Sequence, residues 1–329
     1  MHKILLIRRD NIGDLVCSTP LMRALRERYP ESHIAAYVNS YNLPVLAGNP
    51  DLDAVHAYTK AKHRADGTGV FAHYRQRARH LLQMRRERFD DVIIAEPGYT
   101  KRVTQLARFF APRRVIGFCT AAGDSTGLDV GIPRLEGDRL HECIDVFRLL
   151  APFGIEGPPP PVRVVSALPP GARFTVGVHI SARKPSQRWP AARFAELIRH
   201  LALERGAAIR LFWAPGSAAN AQHPGDDAKA AAVVAACADC AIEAVPTPTL
   251  RDLIDGIAQC HAMVCSDGGA MHLAAGLGIP IVCLFGRSIA ARWHPWGVPY
   301  VLLQKPSEEV SDIAVAEVAA ACDRLLFTA

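Results

Sequence analysis

At 329 residues, half of them hydrophobic, the chain is long enough for two domains with separate cores. The net charge is +6, and nine cysteines, odd in number and scattered among apolar positions, fit a reducing cytoplasm and argue against a disulfide framework. No apolar run reaches the roughly 18–20 residues of a membrane-spanning helix, and the N-terminus enters a strand pattern without a signal-peptide apolar region.

The first element is a short buried strand over 3–8, followed by Arg9-Asp10-Asn11-Ile12-Gly13-Asp14 and a helix from about 15 to 28. Leu15, Leu21, Ala24 and Leu25 lie near helical spacing, and Pro20 inside that run predicts an irregular first turn. Gly13 permits a close turn. Asp14 falls at the helix start, where an N-cap explains it and where a carboxylate at the mouth of an interdomain cleft explains it equally. There is no G-x-G-x-x-G, so a dinucleotide fingerprint is absent.

Further strands are predicted at 33–38, 54–58, 91–95 and 114–117, with helices between them. This alternation argues for a parallel, doubly wound α/β sheet. One helix, 73–87, carries Arg75, Arg77, Arg79, Arg85 and Arg86, with Arg88 just beyond. The surrounding segment 60–114 holds 14 Lys/Arg against 5 Asp/Glu. A solvated helix face explains that charge, and so does attraction to an anionic acceptor or membrane surface. Nucleic acid is not expected as a partner, because no recognised binding module or aromatic–basic interleaving is present. The connection 117–137 reads as a loop, and 139–153 as a helix.

Gly157-Pro158-Pro159-Pro160-Pro161 is the clearest break. It divides the chain into a domain over 1–156, a linker over 157–172, a second domain over 173–310 and a terminal helical segment over 311–329. In the second half, strands are predicted at 174–179, 208–213, 262–265 and 280–285. Helices are predicted at 191–204, 227–236, 249–257, 270–277 and 312–326. Within the irregular piece 213–227, Asp226 and Asp227 read first as an N-cap for the next helix. Cys237-x-x-Cys240 has no matching pair, and the 13 histidines show no zinc spacing, so no metal site is expected.

Ser266-Asp267-Gly268-Gly269-Ala270-Met271-His272-Leu273-Ala274-Ala275 lies between two buried-strand runs. The unit is strand, Asp-Gly-Gly turn, helix, strand. Unpaired N–H groups at such a helix N-terminus favour a phosphate, and the glycines let a ligand approach the backbone. Asp267 suits a sugar hydroxyl or ribose beside it. A tight strand-to-helix turn of any α/β domain explains the same residues.

Taken together, Ile4-Leu5-Leu6-Ile7-Arg8, Ile12-Gly13-Asp14, Thr19-Pro20-Leu21, Arg23-Ala24-Leu25, Trp189-Pro190 with Arg193-Phe194-Ala195, and Asp267–Ala275 form an ordered series. Gly278-Ile279-Pro280, Leu284-Phe285-Gly286, Arg292-Trp293 and Pro295-Trp296-Gly297 complete it. The series resembles glycosyltransferase family 9, the ADP-heptose:lipopolysaccharide heptosyltransferases, from residue 3 to about 300. The resemblance implies a GT-B fold, with two facing Rossmann-like domains and the active site between them. It implies inverting, metal-independent transfer of heptose from ADP-heptose to the lipopolysaccharide inner core (Kdo-lipid A or a heptosyl-core acceptor), without a cofactor. It makes Asp14 the general base and Arg9, Asn11 and Gly13 the acceptor residues. The donor residues are then Ser181, Arg183, Lys184, Gln187, Arg188, Asp267, Gly268, Gly269, Ala270 and His272. It also implies a cytoplasmic enzyme in peripheral contact with the inner membrane, and a last helix that packs back on the first domain.

Three departures stand out. Gln187 occupies a position where the family usually has Lys, Gly268 one where Thr is frequent, and Arg287-Ser288-Ile289 replaces a Pro-Thr-Asp/Ser run. They keep open a family 9 enzyme with another donor or acceptor. A GT-B nucleotide-sugar epimerase and a non-catalytic sugar-nucleotide binder are the remaining alternatives.

Overall fold

A computed structural model describes residues 1–58, 70–120 (70–74 as backbone), 123–134, 140–219 and 225–327. Residues 60–69 of the basic segment, 121–122 and 135–137 of the 117–137 connection, Arg139 at the start of the next predicted helix, and 220–224 of the 213–227 piece lie outside the described residues. The chain divides into two units, Met1–Val162 and Arg163–Ala329. The division falls inside the 157–172 stretch. Each unit is described in turn.

Among the described residues, the first unit holds six parallel strands: β1 (Lys3–Ile7), β2 (His33–Asn39), β3 (Ala54–Tyr58), β4 (Asp91–Ile94), β5 (Arg114–Phe118) and β6 (Val130–Ile132). Their order is β3-β2-β1-β4-β5-β6. Leu5 lies opposite Ala35 on one side and Val92 on the other. Residues 4–7 are buried on both faces, as a parallel sheet covered by helices requires. Leu5, Ile7, Tyr37, Val92 and Ile94 form one side of a core with Met84 of α4 (Val70–Arg86) and Val103 of α5 (Lys101–Phe109).

Three predicted elements of this unit are corrected. The helix expected over 15–28 is two helices, α1 (Ile12–Val16) and α2 (Thr19–Arg28), with a short α3 (Leu43–Leu46) following β2. Pro20 sits in the first turn of α2, where its missing N–H costs nothing. The Ser18 and Thr19 hydroxyls donate to the Asp14 and Val16 carbonyls at the end of α1. The 117–137 connection contains β6, paired with β5 through Ile116–Val130. At three residues, with Gly131 in the middle, β6 has no readable alternation. A Cβ on Gly131 would stand 2.9 Å from Ser125 Cβ. The helix expected over 139–153 is α6 (Glu142–Phe147) followed by a 3₁₀ segment, Arg148–Phe153. Pro152 cannot donate, and Gly154 at φ 66° ends the run.

The second unit repeats the winding. Its strands are β7 (Thr175–His179), β8 (Ala208–Trp213), β9 (Ile242–Pro246), β10 (Ala262–Ser266), β11 (Ile281–Phe285) and β12 (Tyr300–Gln304), in the order β12-β11-β10-β7-β8-β9. Sequence patterning missed β9 and β12, the two edge strands. Both are half-exposed, so neither carries the apolar run that marks the inner strands. The helices are α7 (Ala191–Arg199), α8 (Asp227–Ala236), α9 (Leu250–Ala258) and α10 (Gly269–Gly276). After them come α11 (Ala290–Trp293) and α12 (Val315–Cys322). Val318, Ala321 and Cys322 of α12 lie in the core cluster of this unit, beside Trp189, Leu197 and Val310. Trp189 Nε1 donates to Ile313 O at 2.9 Å. The nine cysteines are free thiols, eight of them buried.

In both sheets the crossovers reverse direction once, between β1 and β4 and between β7 and β10. The carboxyl edge at such a switch point is where open α/β sheets bind ligands.

Close packing under the second switch point gives a first test. A Cβ on Gly177 in β7 would lie 2.7 Å from Met263 Sδ, 2.9 Å from Phe212 Cε2 and 3.0 Å from Cys260 Sγ. Gly177→Ala is expected to lower unfolding free energy by about 1–3 kcal/mol, measured by urea titration against the parent.

Candidate functional site

In the first unit the site grows from the residue after β1. Arg8 is 1% exposed and Glu142, at the start of α6, is 0% exposed. Arg8 Nη2 donates to Asp14 Oδ1 at 2.9 Å and to Glu142 Oε1 at 2.7 Å. Arg8 Nη1 donates to Ala95 O, at the end of β4, and Nε faces Asp10 Oδ2 at 3.2 Å. Burial disfavours this guanidinium, but Glu142, Asp14 and Asp10 more than offset that and hold its pKa above the ordinary value. Burial pushes the Asp10 carboxyl up to about 6 against the pull of Arg8.

The cap of α1 differs from the sequence reading. Asn11 is the N-cap and Asp14 is the third helical residue. The Asn11 N–H and Nδ2 both donate to Asp14 Oδ2, at 3.2 and 2.9 Å. Gly13 lies inside α1 rather than in a turn, its carbonyl accepting from Cys17 N–H. Arg9 points elsewhere: Nε and Nη2 donate to Glu96 at 2.6 and 3.3 Å, and the guanidinium lies 5.8 Å from the Tyr58 ring centroid. Asn39 and Asn42 hold the loop by donating to the Asp10 carbonyl. Asp14 and Asn11 therefore form one cluster, and Arg9 belongs to a neighbouring one.

In the second unit the loops after β7 and β10 carry the predicted donor residues. The N–H groups of Gly269, Ala270 and Met271 precede the first intrahelical bond of α10, from His272 N–H to Gly268 O. Gln187 is buried. Its Nε2 donates to Asp267 Oδ2 at 2.6 Å and to Ser288 Oγ at 3.0 Å. Gln187, Asp267 and one of the departing residues, Ser288, are thus a single hydrogen-bonded group. Gln304 steadies it by donating to the Gly286 and Ser288 carbonyls. Gly286 must be glycine here, since a Cβ would stand 2.3 Å from Ser186 O.

Ser181 Oγ accepts from Ala214 N–H, and Arg188 Nε donates to Ala182 O. Arg183, Lys184 and Arg188 are exposed. His272 is buried, edge-on to Trp293 at 6.0 Å. Asp226 is the N-cap of α8, whereas Asp227 accepts from Trp213 Nε1 and Gly216 N–H and so shapes the loop.

Sequence reasoning missed Lys229, on α8. Its Nζ donates to Ile180 O at 2.8 Å and lies 4.8 Å from the Phe194 ring centroid. Burial lowers its pKa to about 8, with Asp226 opposing and Arg188 adding. Burial and this lysine together push His179 down to about 4. Glu142 and Lys229 carried no local signal, because each meets its partner only through the fold. Among the described residues, no group of three or more His, Cys, Asp or Glu is arranged to hold a metal ion. No helix among them is long and apolar enough to cross a membrane.

The profile of glycosyltransferase family 9 (heptosyltransferase) matches residues 165–316. Lipopolysaccharide heptosyltransferase 2 of Escherichia coli K12 is 27% identical, over 87% of this chain and 83% of that protein. Two solved structures share the fold. E. coli heptosyltransferase WaaC with ADP superposes with TM-score 0.79 at 16% identity, covering 98% of this chain and 99% of the other. E. coli ADP-heptose LPS heptosyltransferase II gives 0.75 at 21% identity, covering 98% of each. The architecture is therefore GT-B, built from two Rossmann-like units. With both carboxyl-edge motifs in place and the likeness running through both units, the chain is a glycosyltransferase similar to glycosyltransferase family 9, the heptosyltransferases.

Proposed function

We propose that the enzyme transfers heptose from ADP-heptose to the lipopolysaccharide inner core, with inversion and without a metal. The observation that carries this reading is the likeness to a lipopolysaccharide heptosyltransferase over 87% of the chain. The acceptor is Kdo-lipid A or a heptosylated core. Its hydroxyl oxygen attacks the anomeric carbon, the bond from that carbon to the diphosphate oxygen breaks, and ADP leaves. Asp14 takes the hydroxyl proton. The N–H groups at the start of α10, with Ser181, Arg183, Lys184 and Arg188, meet the charge on the departing diphosphate.

Gln187 and Gly268 orient the donor, Gln187 through Asp267, and His272 backs the same turn. Arg9, Asn11 and Gly13 shape the acceptor side. Lys229 adds a positive charge beneath Ser181. Exposed Arg75, Arg79, Arg85 and Arg86 attract an anionic acceptor at the cytoplasmic face of the inner membrane. The departures at Gln187, Gly268 and Arg287 favour one second reading, a family 9 transferase with a different donor.

Calorimetric titration with ADP, UDP, GDP and ADP-heptose, with and without EDTA, separates the two. Selective binding of ADP and ADP-heptose, unchanged by chelator, is expected. A preference for UDP or GDP sinks the donor assignment. Asp14→Asn is expected to lower kcat about 10²–10⁴-fold with either core acceptor, and near-normal turnover removes Asp14 as the base. Lys229 is charged below about pH 8 and neutral above it. ADP affinity should weaken as pH rises through that value, and Lys229→Arg should flatten the dependence. An unchanged pH profile in Lys229→Arg excludes Lys229 from the donor site.

A further inference from the structure

Glu142 is buried and lies 134 residues from the arginine it pairs with. One nitrogen of Arg8 is shared between Glu142 Oε1 and Asp14 Oδ1. A second cation reaches Glu142 from the far side, Arg134 Nη2 at 3.7 Å from Oε2. Arg134 also donates to Asp145 Oδ2 at 3.0 Å, and Arg148 donates to Asp145 Oδ1 at 3.1 Å. Among the described residues, the charged groups around Asp14 are therefore Arg8 at the end of β1, Asp10 on the loop and Glu142 on α6, with the Cys17 and Cys143 thiols beside Glu142 and Arg8. The Arg9–Glu96 pair lies beyond Asp10, and Arg134 and Asp145 lie behind Glu142.

We propose that Glu142 is a positioning residue for the base: by sharing Arg8 it holds the Asp14 carboxylate in place and limits how strongly Arg8 suppresses its basicity. The inference rests on the reading of Asp14 as the proton acceptor. A guanidinium given wholly to Asp14 stabilises the carboxylate form and makes it a poorer base. With Glu142 drawing on the same nitrogen, the positive charge is divided, and Asp14 is aligned without losing its ability to take a proton. Arg134 acts on this balance in the opposite sense, since it neutralises part of the Glu142 charge. A buried ion pair that serves the fold alone would matter for stability and would leave the pH dependence of turnover in place.

The test is the pH profile of kcat/KM for ADP release from ADP-heptose with Kdo-lipid A or the heptosyl core as acceptor. Glu142→Gln should move the acid limb down by about one pH unit. Its kcat should fall roughly threefold to tenfold, with the donor KM unchanged. Arg134→Gln, at a residue partly exposed to solvent, should move the limb up. Asp10 lies at about 6 and faces the same arginine, so each profile is repeated in the Asp10→Asn background to assign the limb to Asp14.

Opposite shifts support the proposal. Profiles that superpose on the parent, or that shift the same way, overturn it. If Glu142→Gln does not fold, the direction given by Arg134→Gln decides alone. Asp14→Asn separates the two layers: retained turnover removes the base itself, whereas lost turnover with unmoved profiles removes only the role of Glu142.

Discussion

Parallel strands can be joined only by crossovers, and in each unit those crossovers change direction once. At that point two neighbouring strands send their following segments to opposite faces, so the carboxyl edge opens between them. The residues that follow β1 and β4 in the first unit, and β7 and β10 in the second, have no other place to go. Arg8 and Asp14 follow β1, and Glu96 follows β4. Gln187 and Ser181 follow β7, and Asp267 follows β10. The candidate residues are thus concentrated by topology before any side-chain chemistry is considered.

The two units then hold a carboxylate in different ways. Asp14 is held by a buried cation, Asp267 by a neutral amide. Each is a hydrogen bond to a carboxylate, of the kind that contributes about 1.5–3 kcal/mol, and the difference lies in the donor. Burying a guanidinium such as that of Arg8 costs several kcal/mol per ion unless every donor finds an acceptor. Glu142, Asp14 and the Ala95 carbonyl accept from Arg8 and offset most of that cost, while Nε is left with an ion-pair contact to Asp10 and no hydrogen bond. Gln187 needs no such enclosure. It therefore sits among loop residues, with Ser288 as its second acceptor.

Much of this was legible in the sequence. The alternation of apolar strands with helices specified two doubly wound units, because inner strands of a parallel sheet are buried on both faces and read as continuous apolar runs. The same reasoning failed at β9 and β12, whose exposed faces dilute the run, and at β6, which is too short to show a period. The Asp-Gly-Gly corner was readable because its chemistry is local: strand, turn and helix start are adjacent in the chain. Asp14 was found through a motif, but its environment was not, since Arg8 looked like the last residue of a strand and Glu142 like an ordinary helix residue. Gln187 registered as a departure, while its bond to Asp267, 80 residues away, could come only from the sheet order.

That bond changes where positive charge must come from. A lysine at position 187 would neutralise Asp267. The amide satisfies Asp267 without cancelling it, so in the proposed reaction attraction for an anion falls to Arg183, Lys184, Arg188 and Lys229. The first three are exposed, and fixing such a side chain on a ligand costs about 1.5–2 kcal/mol of rotamer entropy each. Lys229 is already held by the Ile180 carbonyl and the face of Phe194. Its ordering cost is met on folding rather than on binding, so it can contribute field at the loop after β7 more cheaply than its exposed neighbours. The enclosure that fixes it also lowers its pKa towards neutrality, which ties the charge of this loop to pH in a way that a lysine paired with Asp267 would not.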